Sequence, residues 1–193
     1  VPGLAINEGV MQARGRIVVC LSSHCVPTDI YWLANLIAPL DRYSRIVASY
    51  GRQLPVAFTA ATDMRDLFLT FGPESRIQDE DPFFHNANSA FYKDVWEDAQ
   101  FDENLPHIED RAWGAGLVAR KYRIAYVAEA SVFHHHGLHH DNSSARAVGV
   151  ADTLKSLVQP ELYQSIPKFM RPENCPILCI CTASSSSEQE AAY

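Results

Sequence analysis

Five consecutive apolar residues, Ile17-Val18-Val19-Cys20-Leu21, stand between Arg16 and Ser22. An unbroken apolar run of that length predicts a strand buried on both faces of a parallel sheet. Upstream, residues 4–13 predict a short helix that stops near Gly15. Downstream, Ile30, Leu33, Leu36 and Ile37 recur at helical spacing, which predicts a helix through Leu40 capped by Thr28 or Asp29. Residues 45–50 predict a second strand that runs into a loop at 51–55. Residues 57–71 carry a looser helical pattern closed by Gly72-Pro73, and the polar segment 74–82 predicts a mobile loop. A short strand and turn follow at 83–92, then a short helix at 93–99. An amphipathic helix is predicted from Asp110 to Tyr122, although Gly114 and Gly116 each cost it about 1 kcal/mol. Residues 123–133 read as a strand, 141–158 as a last helix capped by Asp141 or Asn142, and 176–182 as one more strand before a polar, disordered tail. Strands alternating with helices predict an α/β domain with a mostly parallel or mixed sheet.

Composition narrows the classes. A chain of 193 residues with 47% hydrophobic and 20% charged residues can bury a substantial core. Its net charge of -7 argues against non-specific nucleic-acid binding, which requires a basic surface. No apolar run approaches the roughly 20 residues of a membrane span. The five cysteines, Cys20, Cys25, Cys175, Cys179 and Cys181, are odd in number and several interleave with Ile and Leu. That pattern favours reduced thiols in a cytoplasmic compartment and core or edge strands over a disulfide framework.

Several segments carry candidate chemistry. Ser22-Ser23-His24 follows the first strand, at the end of an α/β sheet where ligands bind. Glu109 and Asp110 open a helix, where the macrodipole favours carboxylates, so capping explains them as readily as catalysis does. Two adjacent carboxylates cannot face each other across a glycosidic bond, so a hydrolase pair is excluded and a single base fits better. His134 and His136 share a face at a strand end and can share a divalent metal, whereas His135, His139 and His140 read as a solvated patch. Arg52 can pair with a diphosphate or carboxylate, and Asn86 and Asn88 can bond sugar hydroxyls.

Taken in order, these motifs are Ala5-x-Asn7-x-Gly9 with Ala13-x-Gly15, Ser22 to Pro27 with Trp32-Leu33, Gly51 to Pro55, Asn86-x-Asn88-Ser89-Ala90, Phe101-Asp102-Glu103, Glu109-Asp110 and Glu129 to His134-x-His136. The series resembles the inverting family 2 glycosyltransferases of the GT-A fold, especially the bacterial rhamnosyltransferase-like branch, over roughly residues 4–150. The resemblance implies a GT-A-like (Rossmann-like) mixed sheet flanked by helices. It implies sugar transfer with inversion from a nucleotide-diphosphate donor to a glycan or lipid-linked acceptor, as in cell-surface polysaccharide synthesis. Asp110 is then the general base with Glu109 beside it, while Arg52, Gln53, Asn86 and Asn88 lie at the substrates. His24, His134 and His136 become the metal ligands for Mn²⁺ or Mg²⁺ on the diphosphate.

Two departures from the family pattern follow. Ser22-Ser23-His24 stands where the family has Asp-x-Asp, which weakens a hard-cation site. The family's N-terminal strand-helix-strand unit, which holds the nucleotide base and ribose, is expected before Val1, so the 193 residues alone are expected to be an incomplete enzyme. Residues 1–158 then form the metal- and acceptor-side part of the catalytic domain, and 159–193 a linker, a strand and a tail, with room for a further fused domain. The expected place is the cytoplasm, at the inner face of the membrane by peripheral association. Two other classes remain: a non-catalytic glycan- or nucleotide-binding module on the same fold, and a histidine-cluster metal hydrolase with a closed zinc cage.

Overall fold

The computed structural model describes residues 2–105 and 107–134. The helix predicted at 141–158, the strand at 176–182, the thiols Cys175, Cys179 and Cys181, and the division at 158 lie outside the described residues.

Helix α1 (Pro2–Gln12) precedes strand β1 (Ile17–Leu21), a short strand β2 (Cys25–Pro27) and helix α2 (Trp32–Arg42). Strand β3 (Ile46–Pro55), helix α3 (Ala61–Thr70), strand β4 (Arg76–Gln78) and strand β5 (Asn88–Tyr92) follow. Helices α4 (Lys93–Asp98) and α5 (Glu109–Ala119) then lead into strand β6 (Arg123–His134). The strands form one mixed sheet in the order β1-β5-β3-β6-β2, with β4 also paired to β6. β3 and β6 are parallel, while β5 runs antiparallel to both β1 and β3.

Two faces of this sheet bury two cores. Along β6, Ile124, Tyr126 and Ala128 join one core while Ala125 and Val127 join the other, the alternation expected of a central strand. The larger core packs Tyr50, Tyr126 and Phe91 beneath Val10 of α1, Leu67 of α3, Val95 of α4 and Leu117 of α5. The smaller packs Ala90, Ala125 and Val127 beneath Leu36 and Leu40 of α2. A buried amide latches α1 in place. The Asn7 Oδ1 accepts from Trp96 Nε1 (2.9 Å) and from the Phe101 amide (3.1 Å). Its Nδ2 donates to the Phe101 carbonyl (2.9 Å) and to Glu103 (3.0 Å).

Several sequence expectations need correction. β1 is not central in the described sheet but its edge, paired antiparallel with β5 alone, and its apolar residues also face a groove against α1. The second strand does not end at Tyr50. β3 continues through Pro55, because its register with β6 resumes past a bulge between Gly51 and Gln53. The loops at 22–27 and 74–82 each contain a three-residue strand, β2 and β4, both paired with β6. α2 begins at Trp32 with no side-chain cap; Asp29 Oδ1 instead accepts from the amide of Tyr31, the residue just before the helix (2.7 Å).

Candidate active site

The bulge in β3 shapes one end of the sheet. Gly51 sits where an added Cβ would overlap the Ala130 carbonyl and the Asn88 side chain, so only glycine lets the strands close there. Asn88, fully buried, fills the gap. Its Nδ2 donates to the Ala130 carbonyl (2.8 Å) and to the Arg52 carbonyl (3.4 Å), and its Oδ1 accepts from Trp32 Nε1 (2.9 Å). Both ends of that amide are engaged by the framework, which joins β3, β5, β6 and α2 at one point.

Beside it, Gln53 is fully buried and its Nε2 lies 3.0 Å from His85 Nδ1. The Ala87 amide also points at that nitrogen (3.3 Å). A backbone N–H can only donate, so Nδ1 is an acceptor and the imidazole proton is assigned to Nε2. The ring stacks on Phe83 and meets Phe71 edge-on. Among the described residues, Gln53 Oε1 and Asn86 Nδ2 are buried without a hydrogen-bond partner.

The acidic pair enters through a strained turn. Ile108 precedes α5 in the left-handed region (φ 57°, ψ 27°), a conformation costing a β-branched residue about 1–3 kcal/mol. The chain thereby turns Glu109 and Asp110 inward, where both are buried. Asp110 Oδ1 accepts from the Arg111 amide (2.8 Å), and Oδ2 accepts from the Asn86 amide (3.1 Å). The structure therefore brings Arg52, Gln53, His85, Asn86, Asn88 and Asp110 into one neighbourhood.

The described histidines of the expected metal site lie at the end of β6 and in the turn before β2. His134 pairs in register with Cys25 of β2 and with Pro55, two residues beyond Gln53. His24 is exposed in the turn before β2, and His136 lies outside the described residues. Asp110 and His134 thus occupy the same end of the sheet. No group of three or more His, Cys, Asp or Glu among the described residues is placed to hold a metal ion. Of the expected ligands, His24 and His134 are described, and both offer nitrogen where Mg²⁺ prefers oxygen. The closed cage of the zinc-hydrolase alternative is likewise absent among the described residues.

Sequence reasoning passed over two arginines. Arg76 of β4 lies over the Tyr126 ring (4.6 Å to the centroid) and donates to Tyr50 Oη (3.1 Å). Arg111 lies over Phe83 (4.4 Å). Burial pushes the Tyr126 hydroxyl up to about 12 and raises Tyr50 as well, so both stay protonated and donate, Tyr50 to Gln78 (2.6 Å) and Tyr126 to the Gly72 carbonyl (2.6 Å). The signal for Arg111 was its place directly after the acidic pair. Arg76 gave none, since its strand reads as polar loop.

No protein-family model and no curated protein sequence matches the chain. Solved structures do. The chain is similar to GalNAc-T7 with UDP, GalNAc and Mn²⁺, at 15% identity and a TM-score of 0.53 over 70% of this chain and 30% of that one. It is similar to the mannosyltransferase PcManGT from Pyrobaculum calidifontis in complex with GDP-Man and Mn²⁺, at 16% identity and a TM-score of 0.58 over 96% of this chain and 55% of that one. It is also similar to S. aureus TarS 1-349, at 13% identity and a TM-score of 0.57 over 96% of this chain and 52% of that one.

The fold is GT-A-like. Within it, the mixed sheet flanked by helices agrees with the expected fold class, and identities this low speak to fold alone. The chain spans about half the length of the latter two structures and under a third of the first. Among the described residues of this GT-A-like unit, no helix is long and apolar enough to cross a membrane.

Proposed function

We propose that this protein serves sugar transfer from a nucleotide-diphosphate donor to an acceptor hydroxyl, with inversion, and that Asp110 is the general base. The observation that carries the proposal is the placement of Asp110. It is a buried carboxylate at the start of α5, fixed by two backbone amides at the sheet end of a GT-A-like fold. Each oxygen accepts one described hydrogen bond, which leaves lone pairs on both for an acceptor O–H. In the transfer, the acceptor oxygen bonds the anomeric carbon as the bond to the diphosphate breaks. The leaving electron pair goes to the diphosphate and the hydroxyl proton to Asp110. Buried Gln53 Oε1 and Asn86 Nδ2, an acceptor and a donor, suit sugar hydroxyls at this point. Family 2 membership, a glycan or lipid-linked acceptor and work at the inner face of the membrane belong to the same proposal.

One observation favours a second reading, a binding module without catalysis: both Asp110 oxygens already serve backbone amides. The whole protein separates the two. Asp110→Asn is expected to lower donor-to-acceptor transfer by about 10²–10⁴-fold while donor and acceptor binding persist. Transfer undiminished by this substitution removes the base assignment, and wild-type protein that binds glycan but never transfers sugar establishes the module.

A further inference from the structure

An acidic chain keeps three guanidinium groups, Arg52, Arg76 and Arg111, with no ion pair among the described residues, and Arg111 directly follows Asp110. They surround one patch of rings. Arg76 covers Tyr126 and Arg111 covers Phe83. Tyr50 lies 5.4 Å from Phe83 and 5.1 Å from Tyr126, centroid to centroid, and so joins the two. Arg52 Nε donates to the carbonyl of Phe71 (3.1 Å), whose ring meets Phe83 edge-on. Arg76 and Arg111 both act electrostatically on Tyr50, and Arg52 and Arg76 both act on Tyr126. Arg76 thus shares one tyrosine with Arg111 and another with Arg52.

Besides Asp110, the carboxylates Glu129 and Asp81 border the patch, and each is held by a hydrogen bond of its own. Glu129 accepts a 2.5 Å bond from the Ser75 hydroxyl, and Asp81 accepts from the Phe83 amide (3.0 Å). Arg52 and Arg111 are half-buried and Arg76 is exposed, and each rests on a ring, a hydroxyl or a carbonyl. A fixed guanidinium loses little freedom on gripping an anion and can grip it in two places.

We propose that this patch binds an anionic group, a carboxylate or phosphate, on the acceptor glycan itself. The inference rests on the transferase reading for the word acceptor, and on the arginines alone for the charge. The chain between the patch and the base is short. Arg111 adjoins Asp110, and residues 83–86 run from the ring under Arg111 to the amide on Asp110. A charged group gripped there orients a neighbouring hydroxyl toward Asp110, as a remote contact positions a reacting atom.

The test is equilibrium binding of the whole protein to paired oligosaccharides, uronate- and phosphate-bearing, each beside its neutral methyl-ester or unphosphorylated form. UDP and GDP serve as separate probes. Charged members are expected to bind about tenfold or more tightly than their neutral pairs, with the preference shrinking as salt rises. Arg76→Gln and Arg111→Gln are each expected to weaken the charged members about tenfold, with unchanged melting temperature and unchanged nucleotide binding. Equal binding of charged and neutral members, or no binding by any, overturns the proposal. So does a loss confined to UDP and GDP, which assigns the arginines to the donor diphosphate. Charge-selective binding without transfer leaves this inference standing and removes the transferase reading. Transfer to neutral acceptors that is indifferent to both substitutions does the reverse.

Discussion

Asp110 and Asn86 are 24 positions apart, yet the backbone amide of one donates to the carboxylate Oδ2 of the other across 3.1 Å, in a buried setting. The bond ties the start of α5 to the segment entering β5, so the candidate base is set by the sheet and not by its own helix alone.

Asp110→Asn keeps the size of the side chain and an oxygen for one of the two amides, but removes the proton acceptor. Transfer by the whole protein is expected to fall by about 10²–10⁴-fold, the contribution typical of a general base. Asp110→Ala is expected in addition to lower stability by about 1–3 kcal/mol, by stranding a buried amide. Steady-state turnover set beside urea unfolding checks both.

Gly51→Ala is expected to fold poorly or not at all. The new methyl would overlap the Ala130 carbonyl and the Asn88 amide, and neither can withdraw without opening the β3–β6 bulge. The cause is steric, since Gly51 does not adopt a positive φ. Soluble yield and the circular-dichroism melt decide it, with Gly116→Ala, which meets nothing within 4 Å, as the control.

Asn7→Leu removes an amide that serves Trp96, Phe101 and Glu103 at once. Leucine fills a similar volume but strands the indole N–H and both backbone groups of Phe101. A loss of about 3 kcal/mol or more is expected, at 1–3 kcal/mol for each stranded group. Denaturant unfolding measures it, and Trp96 fluorescence reports the freed indole.

Alkaline pH is expected to destabilise the fold before any other effect of base. Burial pushes the Cys20 thiol up to about 11 and the Cys25 thiol to about 12, from an ordinary 9.0. Above about pH 9 the unfolded chain releases these protons and the folded chain keeps them, so rising pH favours unfolding. Tyr126, raised to about 12 from 10.0, adds to the slope from about pH 10. Urea midpoints are therefore expected to be flat up to about pH 9 and to fall beyond it. Midpoints that stay level through pH 11 defeat this account.

Helices and the long strands were legible because their signals are local. The 3.6-residue spacing of Leu33, Leu36 and Ile37 marks α2, and the apolar run from Ile124 to Ala128 marks β6. β2 and β4 were not legible, because three residues carry no period and each exists only through its pairing with β6. β3 read as ending at Tyr50 for the same reason. Gly51, Arg52 and Pro55 look like loop chemistry until a bulge and a partner strand are present.

The sequence by itself determined the helices and long strands, the α/β class and the inventory of polar side chains able to act on a sugar, since spacing and side-chain chemistry are properties of neighbours along the chain. Tertiary structure alone decided which of those side chains meet. It set the Asn88 amide into the framework and Asp110 onto Asn86, and it gathered Arg52, Arg76 and Arg111 around one patch of rings. The physical reason is that a buried amide or carboxylate must find partners, and those partners come from strands brought together by long-range pairing.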